Sequence, residues 1–238
     1  NGFRQDTYIR PTLYKSTEAI GVRLHNLDHQ LLIFAVPFGE IAMSLGAGGT
    51  LHLPPPDMLP GPALVEYLRS EGITIVLLPP SALAAMPVEP LPALSTLMVA
   101  GESCPAKLVD LWAPGRRFLN LYGPTEGTIW ASYAECRAGA GKPSIGRPVA
   151  NARIYILDAA GRPVPIGVPG EIWIGGVGVA RAYLNRPELT DERFQTLTIA
   201  DTPERLYRTG DIARVLPRGR LLANLLDSQR TSPCSESA

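Results

Sequence analysis

Proline constrains this chain more than any other residue. It occupies 24 of the 238 positions, about twice the usual share. Each proline fixes φ and removes a backbone donor, so long uninterrupted helices are excluded through most of the sequence. Pro54-Pro55-Pro56 enforces an extended linker. Pro79-Pro80 stops one apolar run, and Gly123-Pro124 closes another. What remains is a set of short helices and strands joined by turns. At this length they suffice for one large domain or two small ones with a real core.

Charge narrows the class further. Lys plus Arg and Asp plus Glu each number 22, for a net charge of zero. That balance argues against nucleic acid as a partner, and against a polybasic membrane-binding face. No run approaches the roughly 18 apolar residues of a membrane span. Cys104, Cys136 and Cys234 are odd in number and widely spaced, which points to a reducing cytoplasmic setting without a disulfide framework. His25, His29 and His52 form no metal-binding pattern. The opening Asn-Gly-Phe-Arg has neither methionine nor an apolar signal core, and reads as a segment of something longer with no secretory address.

Residues 1–27 are polar and without period. A helix is expected around Glu40–Leu45 and a strand at Thr50–Leu53. Ala63–Ser70 reads as a helix with Leu64, Tyr67 and Leu68 on one face, and Ile73–Leu78 as a buried strand. Ser81 can cap the helix that follows. Leu94–Ala100 is the next strand, Pro105–Trp112 the next helix, and Arg117–Tyr122 a third strand. This spacing predicts an α/β fold: a layered, mostly parallel sheet over residues 28–138. Ligands in such sheets bind beyond the carboxyl ends of the strands, where Gly101 and Tyr122–Glu126 lie. From 139 to 222 the texture becomes hairpin-like, with strands at Ala152–Leu157 and Glu171–Gly175, a short helix within Leu184–Phe194, and a tight turn at Thr209-Gly210-Asp211. This part reads as a small β-rich unit. After Arg220 the pattern decays, and 223–238 reads as a disordered tail.

Three runs carry chemistry. In Leu121-Tyr122-Gly123-Pro124-Thr125-Glu126 a strand delivers an aromatic ring, a glycine turn that admits close backbone approach, a hydroxyl and a carboxylate. A purine can stack on Tyr122, a phosphate can bond Thr125, and Glu126 can hold magnesium, which typically takes one or two carboxylates plus substrate phosphates. A plain strand-to-loop turn is the competing reading. In Tyr207-Arg208-Thr209-Gly210-Asp211 the carboxylate can accept from both hydroxyls of a ribose; a simple β-turn is the alternative. Gly170–Leu184 superficially suggests a dinucleotide loop. However, Gly176-x-Gly178-x-x-Arg181 lacks the third small residue, and its glycines fit tight turns and close packing instead.

Together, in order and spacing, these runs resemble the adenylation domains of non-ribosomal peptide synthetases, within the AMP-forming adenylating superfamily. Tyr122–Glu126 looks like that family's YGPTE motif, Gly170–Leu184 its GELxIxGxGVARGYL motif, and Tyr207–Asp211 its Y(R/K)TGD motif. Ser144–Pro148 and Arg186–Thr190 fit the stretches between. The resemblance covers roughly residues 39–220 and implies a fragment of the adenylate-forming fold, with a distorted β-barrel as its second part. By that resemblance Tyr122 would stack on adenine, with Gly101 and Gly123 lining the nucleotide cleft. Thr125 would contact the α-phosphate, Glu126 would hold Mg2+, and Asp211 would bind the ribose. ATP would activate a carboxylic acid as an acyl-adenylate. The acyl group would pass to a phosphopantetheine thiol on a carrier protein, within a synthetase that also contains condensation domains. The substrate pocket would comprise Ala35, Leu77, Met98, Ala100, Leu121, Ile129 and Trp130, a set that reads equally as plain core.

The chain departs from the family pattern in four places. Tyr14–Ile20 stands where a Gly-rich phosphate loop belongs, without its glycines or lysine and with Glu18 added. The stretch from Gly21–Leu27 to Phe38–Ile41 is short for the family. Ala35 or Gly39 stands where the family's amine-binding aspartate falls, which suits an acid lacking an α-amine. Beyond Arg220 the hinge pattern and the lysine-bearing subdomain are not found. Two other readings therefore stand beside the enzyme: a catalytically silent remnant acting as a structural or interaction module, and an acyl-CoA ligase relative. The GVGVARAYL run favours the peptide-synthetase branch over the latter.

Overall fold

A computed structural model describes residues 38–224 except Pro56. The expectations placed on residues 1–37, among them the pocket position Ala35 and the Tyr14–Ile20 run, and on 225–238, lie outside the described residues. These fall into two units that divide between Leu59 and Pro60. The first contains helix α1, Phe38–Gly46. The strand expected at Thr50–Leu53 does not form. Gly48 and Gly49 precede it and the proline run follows, leaving no segment free to pair.

The second unit begins with α2, Pro62–Ser70, whose proline occupies the first turn, where its missing N–H costs nothing. Leu64, Val65 and Leu68 form its buried stripe. Then follow β1 (Ile75–Leu78), α3 (Pro80–Ala84), β2 (Thr96–Val99), α4 (Ala106–Trp112) and β3 (Arg117–Tyr122). β1, β2 and β3 pair in parallel and in chain order. After a single 3-10 turn at Thr125–Gly127, β4 (Ser132–Cys136) returns antiparallel to β3, and β5 (Arg147–Pro148) is antiparallel to β4. The sheet is thus mixed, with its parallel half where helices alternate with strands. Trp112 of α4 and Phe118 of β3 are fully buried.

Ser81 does not cap α3. Pro79 holds the cap position, and Ser81 instead receives Glu102: its N–H and hydroxyl donate to the Glu102 carboxylate at 3.0 and 2.8 Å. A carboxylate reaching back from the turn after β2 thus does the work assigned to the serine.

The second sheet is antiparallel throughout. It comprises β6 (Ala152–Leu157), β7 (Pro169–Gly176), β8 (Phe194–Ile199), β9 (Thr202–Leu216) and β10 (Arg220–Asn224), with helix α5 (Pro187–Arg193) before β8. The order is β10-β9-β7-β6, and β8 also pairs with β9. The decay expected after Arg220 is corrected here, since 220–224 is a paired strand. The tight turn expected at Thr209–Asp211 is also corrected: the run lies inside β9. There the register slips, so that Thr209, Gly210 and Asp211 together oppose Ile172 alone. Gly210 takes φ +82°, the left-handed value such a bulge needs. One core joins the sheets: Tyr122, Ala131 and Ile145 pack with Ile156, Ile172, Ile174, Ala213 and Leu221. Backbone bonds reinforce it, from Leu221 N–H to Gly146 O at 2.7 Å and from Ile145 N–H to Leu221 O at 2.9 Å.

Candidate functional site

The parallel strands of the first sheet end at Val99 and Tyr122, and the candidate residues gather past those ends. Gly101 sits exposed in the turn after β2. Tyr122 is the last residue of β3, and its ring is buried in the core shared by the two sheets. Gly123 follows. A Cβ there would meet Ala131 N, Ile129 O and the Trp130 Cα, each at 2.6 Å. The space left by the missing side chain is therefore filled by the chain's own returning backbone. That return is held by the Ala131 N–H bonded to Tyr122 O at 2.8 Å. Thr128 and Ile129 between them adopt φ +58° and +73°. For β-branched residues this is strained, and such strain persists only where the surroundings enforce it.

The surroundings that enforce it come from the third motif. Ala180 N–H donates to Glu126 O at 2.8 Å, and the Thr128 hydroxyl to Gly178 O at 2.5 Å. The glycine-rich Gly175–Ala180 segment thus braces the Thr125–Thr128 turn.

Asp211 reaches the site from the bulge in β9. The Tyr122 hydroxyl donates to Asp211 Oδ2 at 2.7 Å, joining residues 89 apart in sequence. The bulge that aims Asp211 is itself pinned: Thr209 donates its hydroxyl to Ile172 O at 2.8 Å and accepts the Asp211 N–H at 3.0 Å. Glu171 accepts from Gly210 N–H and from Arg208 Nε, all at 3.0 Å. Burial pushes the Asp211 carboxyl above its ordinary range, and the Glu171 charge adds to this, while the Tyr122 hydroxyl opposes it. Burial first, then the Asp211 charge, raises the Tyr122 phenol well above its usual value, so it is a proton donor at neutral pH.

Glu126 lies in the 3-10 turn after Pro124 and is 7% exposed. Its Oε1 accepts from the Tyr183 hydroxyl at 2.5 Å, and the Tyr207 hydroxyl lies 3.4 Å from that of Tyr183. Sequence reasoning assigned no role to either tyrosine. Both belong to the quoted motifs, but nothing along the chain says that rings 57 and 81 residues from Glu126 converge on it. Among the described residues no group of three or more His, Cys, Asp or Glu side chains could bind a metal by itself. A lone buried carboxylate that accepts one hydroxyl keeps acceptor capacity for a cation that brings phosphate oxygens with it.

The apolar pocket candidates fall on one face of the first sheet. Leu77 pairs in register with Met98, and Met98 with Leu119; Leu121 lies two residues further along β3, on the same side, and Ala100 follows just past the end of β2. Met98 and Leu121 are buried, whereas Leu77 and Ala100 are partly exposed. Ile129 and Trp130 stand in the strained return and are also partly exposed. No helix among the described residues is long and apolar enough to cross a membrane.

Comparison with known proteins places this arrangement. The model for AMP-binding enzymes matches residues 31–184. Chondramide synthase cmdD of Chondromyces crocatus is 49% identical over 195 residues, covering 79% of this chain and 5% of that protein. Novobiocin biosynthesis protein H of Streptomyces niveus is 42% identical over 200 residues, covering 82% of this chain and 33% of that one. The N-terminal subdomain of Klebsiella oxytoca NpsA, solved with 3-hydroxybenzoyl-AMSN, superposes with a TM-score of 0.69 at 26% identity, covering 77% of this chain and 49% of that one. A four-domain nonribosomal peptide synthetase bound to AMP and glycine superposes with a TM-score of 0.68 at 36% identity, over 74% of this chain and 14% of that one. The chain therefore spans only a small part of the synthetases it matches, and about half of the NpsA subdomain.

Proposed function

Because this chain belongs to the AMP-binding enzyme family, as part of an adenylation domain of the peptide-synthetase type, we propose that it contributes the nucleotide side of an acyl-adenylating site. In the proposed reaction a carboxylate oxygen of the acid attacks the α-phosphorus of ATP. The bond from that phosphorus to the bridging oxygen of the β-phosphate breaks, and pyrophosphate leaves with the electron pair. The phosphopantetheine thiol of a carrier protein then attacks the acyl carbon, the acyl carbon–oxygen bond to the phosphate breaks, AMP leaves with the electron pair, and the thiol proton is lost to solvent.

Each residue has a share in this reading. Tyr122, whose ring is buried in the shared core rather than open for adenine to stack on, takes part through the hydroxyl it donates to Asp211. Asp211 grips the ribose hydroxyls, its carboxylate already oriented by Tyr122. Gly101 and Gly123 keep the turns at the strand ends free of side chains, and Thr125 donates to the α-phosphate. Glu126 would hold Mg2+, which when bound neutralises phosphate charge. Positioning and charge neutralisation supply most of the rate in such chemistry. Leu77, Met98, Ala100, Leu121, Ile129 and Trp130 would line the apolar pocket for the acid. Carrier-protein and condensation domains of a larger synthetase are the proposed partners. Among the similar structures, an artificially fused adenylation–PCP di-domain, NpsA-ThdA, supports the first of these.

The Tyr122–Asp211 hydrogen bond carries the proposal, because it brings a motif of the antiparallel sheet to the carboxyl end of the parallel strand β3. ATP–pyrophosphate exchange over a panel of aryl, keto, hydroxy and amino acids tests it. Exchange that is abolished by Glu126→Ala and by Asp211→Ala is expected; exchange indifferent to both would refute the assignment. A second reading, a folded but silent module, draws on the Tyr14–Ile20 run, which carries neither the glycines nor the lysine of the family's phosphate loop. A folded chain that binds ATP in a thermal shift yet exchanges no pyrophosphate with any acid would favour it.

A further inference from the structure

Glu126 needs more than burial to act as a metal holder: its carboxylate must face one way. We propose that Tyr183 is the positioning residue that sets this orientation, its hydroxyl fixing the Glu126 carboxylate for a divalent cation arriving with a nucleoside triphosphate. The inference rests on the proposed nucleotide site and adds to it a residue that no motif reading assigns.

Tyr183 is held from several sides. Its N–H donates to the Thr190 hydroxyl at 3.0 Å, and that hydroxyl donates to Arg186 O at 2.8 Å. Its ring meets Phe194 edge-on, with centroids 5.3 Å apart and planes at 63°. Phe194 packs in turn on Tyr207 at 5.1 Å, and the Arg205 guanidinium stands over the Phe194 ring, 4.7 Å from its centre. Arg205 also donates to the carbonyls of Ala180 at 2.8 Å and Arg181 at 2.5 Å, fixing the chain just before Tyr183. The hydroxyl is thus placed by a ring whose backbone and one edge are held by neighbours. A carboxylate has about four acceptor positions, so one bond at Oε1 restrains its orientation and leaves capacity for a cation. Outer hydrogen bonds of this kind typically matter about 10–100-fold to metal affinity.

The test uses the full chain, with Mn2+ as the probe in the presence of saturating ATP and free Mn2+ read by electron paramagnetic resonance. Tyr183→Phe keeps the ring and its packing. It is expected to weaken Mn2+ about 10-fold, while ATP affinity in EDTA stays unchanged, a split that a merely structural role would not produce. Glu126→Gln is the control. If Glu126→Gln weakens Mn2+ and Tyr183→Phe does not, this inference falls and the site reading stands. If neither weakens it, the site reading falls and takes the inference with it. Should Tyr183→Phe lose its fold in thermal denaturation, the infrared carboxylate band removed by Glu126→Gln answers instead. A band shifted by a hydroxyl donor is expected, and a free carboxylate band overturns the proposal.

Discussion

Tyr122→Phe isolates one hydrogen bond whose worth depends on pH. The change keeps the ring in the shared core and removes only the hydroxyl donated to Asp211. Asp211 is largely buried, and burial lifts its folded carboxyl pKa above the unfolded value. An acid raised in this way binds its proton more tightly when folded. Stability is therefore greater below the unfolded pKa and falls as pH rises through the window up to the folded pKa. The Tyr122 hydroxyl offsets part of that fall, because it bonds best to the ionised form. At pH 4 the raised carboxyl holds more of its proton than at pH 7.5, so the bond moves toward the worth of a neutral pair, about 1 kcal/mol. At pH 7.5 the ionised share is larger, and the bond moves toward the worth of a bond to a charge, about 2–3 kcal/mol. With a urea dependence of about 2 kcal/mol per M, the midpoint should drop by about 0.5 M at pH 4 and by about 1–1.5 M at pH 7.5. Urea melts of the two chains at both values measure this, and comparison at equal pH cancels the other titrating groups. The coupling with Asp211→Asn in a double-mutant cycle should account for most of the pH-dependent part. Equal losses at both pH values, or none at pH 7.5, would refute the reasoning.

Other substitutions test separate parts of the fold. Gly146→Ala would put a Cβ 1.7 Å from Tyr133 O at φ +79°; a loss of about 3 kcal/mol or more is expected in thermal denaturation, and a native-like midpoint would contradict the close approach. Trp112→Ala, which empties a fully buried position behind the first sheet, should cost about 3–5 kcal/mol. Burial pushes the Cys104 thiol up to about 12 and the Cys136 thiol up to about 11. Thiolate is therefore scarce at neutral pH, and both should resist a disulfide reagent at pH 7.5 until urea unfolds the chain. Glu102→Ala should cost about 1 kcal/mol by uncapping α3; no change would mean that water replaces the carboxylate there.

Much of this was legible in the chain because local rules held. Arg117–Tyr122 and Ala152–Leu157 read as strands from apolar pattern and flanking turns alone, and the strands run over those residues. The order of strands and helices up to Tyr122 implied parallel pairing, which the register shows. Thr209-Gly210-Asp211 misled because turn composition and bulge composition are the same; only a partner strand, β7, decides between them. Ser81 misled because a capping serine and a serine capped by a distant glutamate look alike in sequence. Asp211 was identified as a candidate, but the hydroxyl that orients it lies 89 residues away. The tyrosine pair around Glu126 was hidden for the same reason, since convergence over 57 residues is a property of packing rather than of pattern.

The bond between Tyr122 and Asp211 bears on how relatives of this chain can be recombined. One parent strand brings the donor and another, in a different sheet, brings the acceptor. A chimera spliced anywhere between positions 123 and 210 inherits the two groups from different ancestors, and any drift in how those ancestors dock their sheets misaligns the pair. Crossovers outside that interval transplant the grip intact, so productive gene shuffling should cluster its junctions at the flanks and avoid the middle.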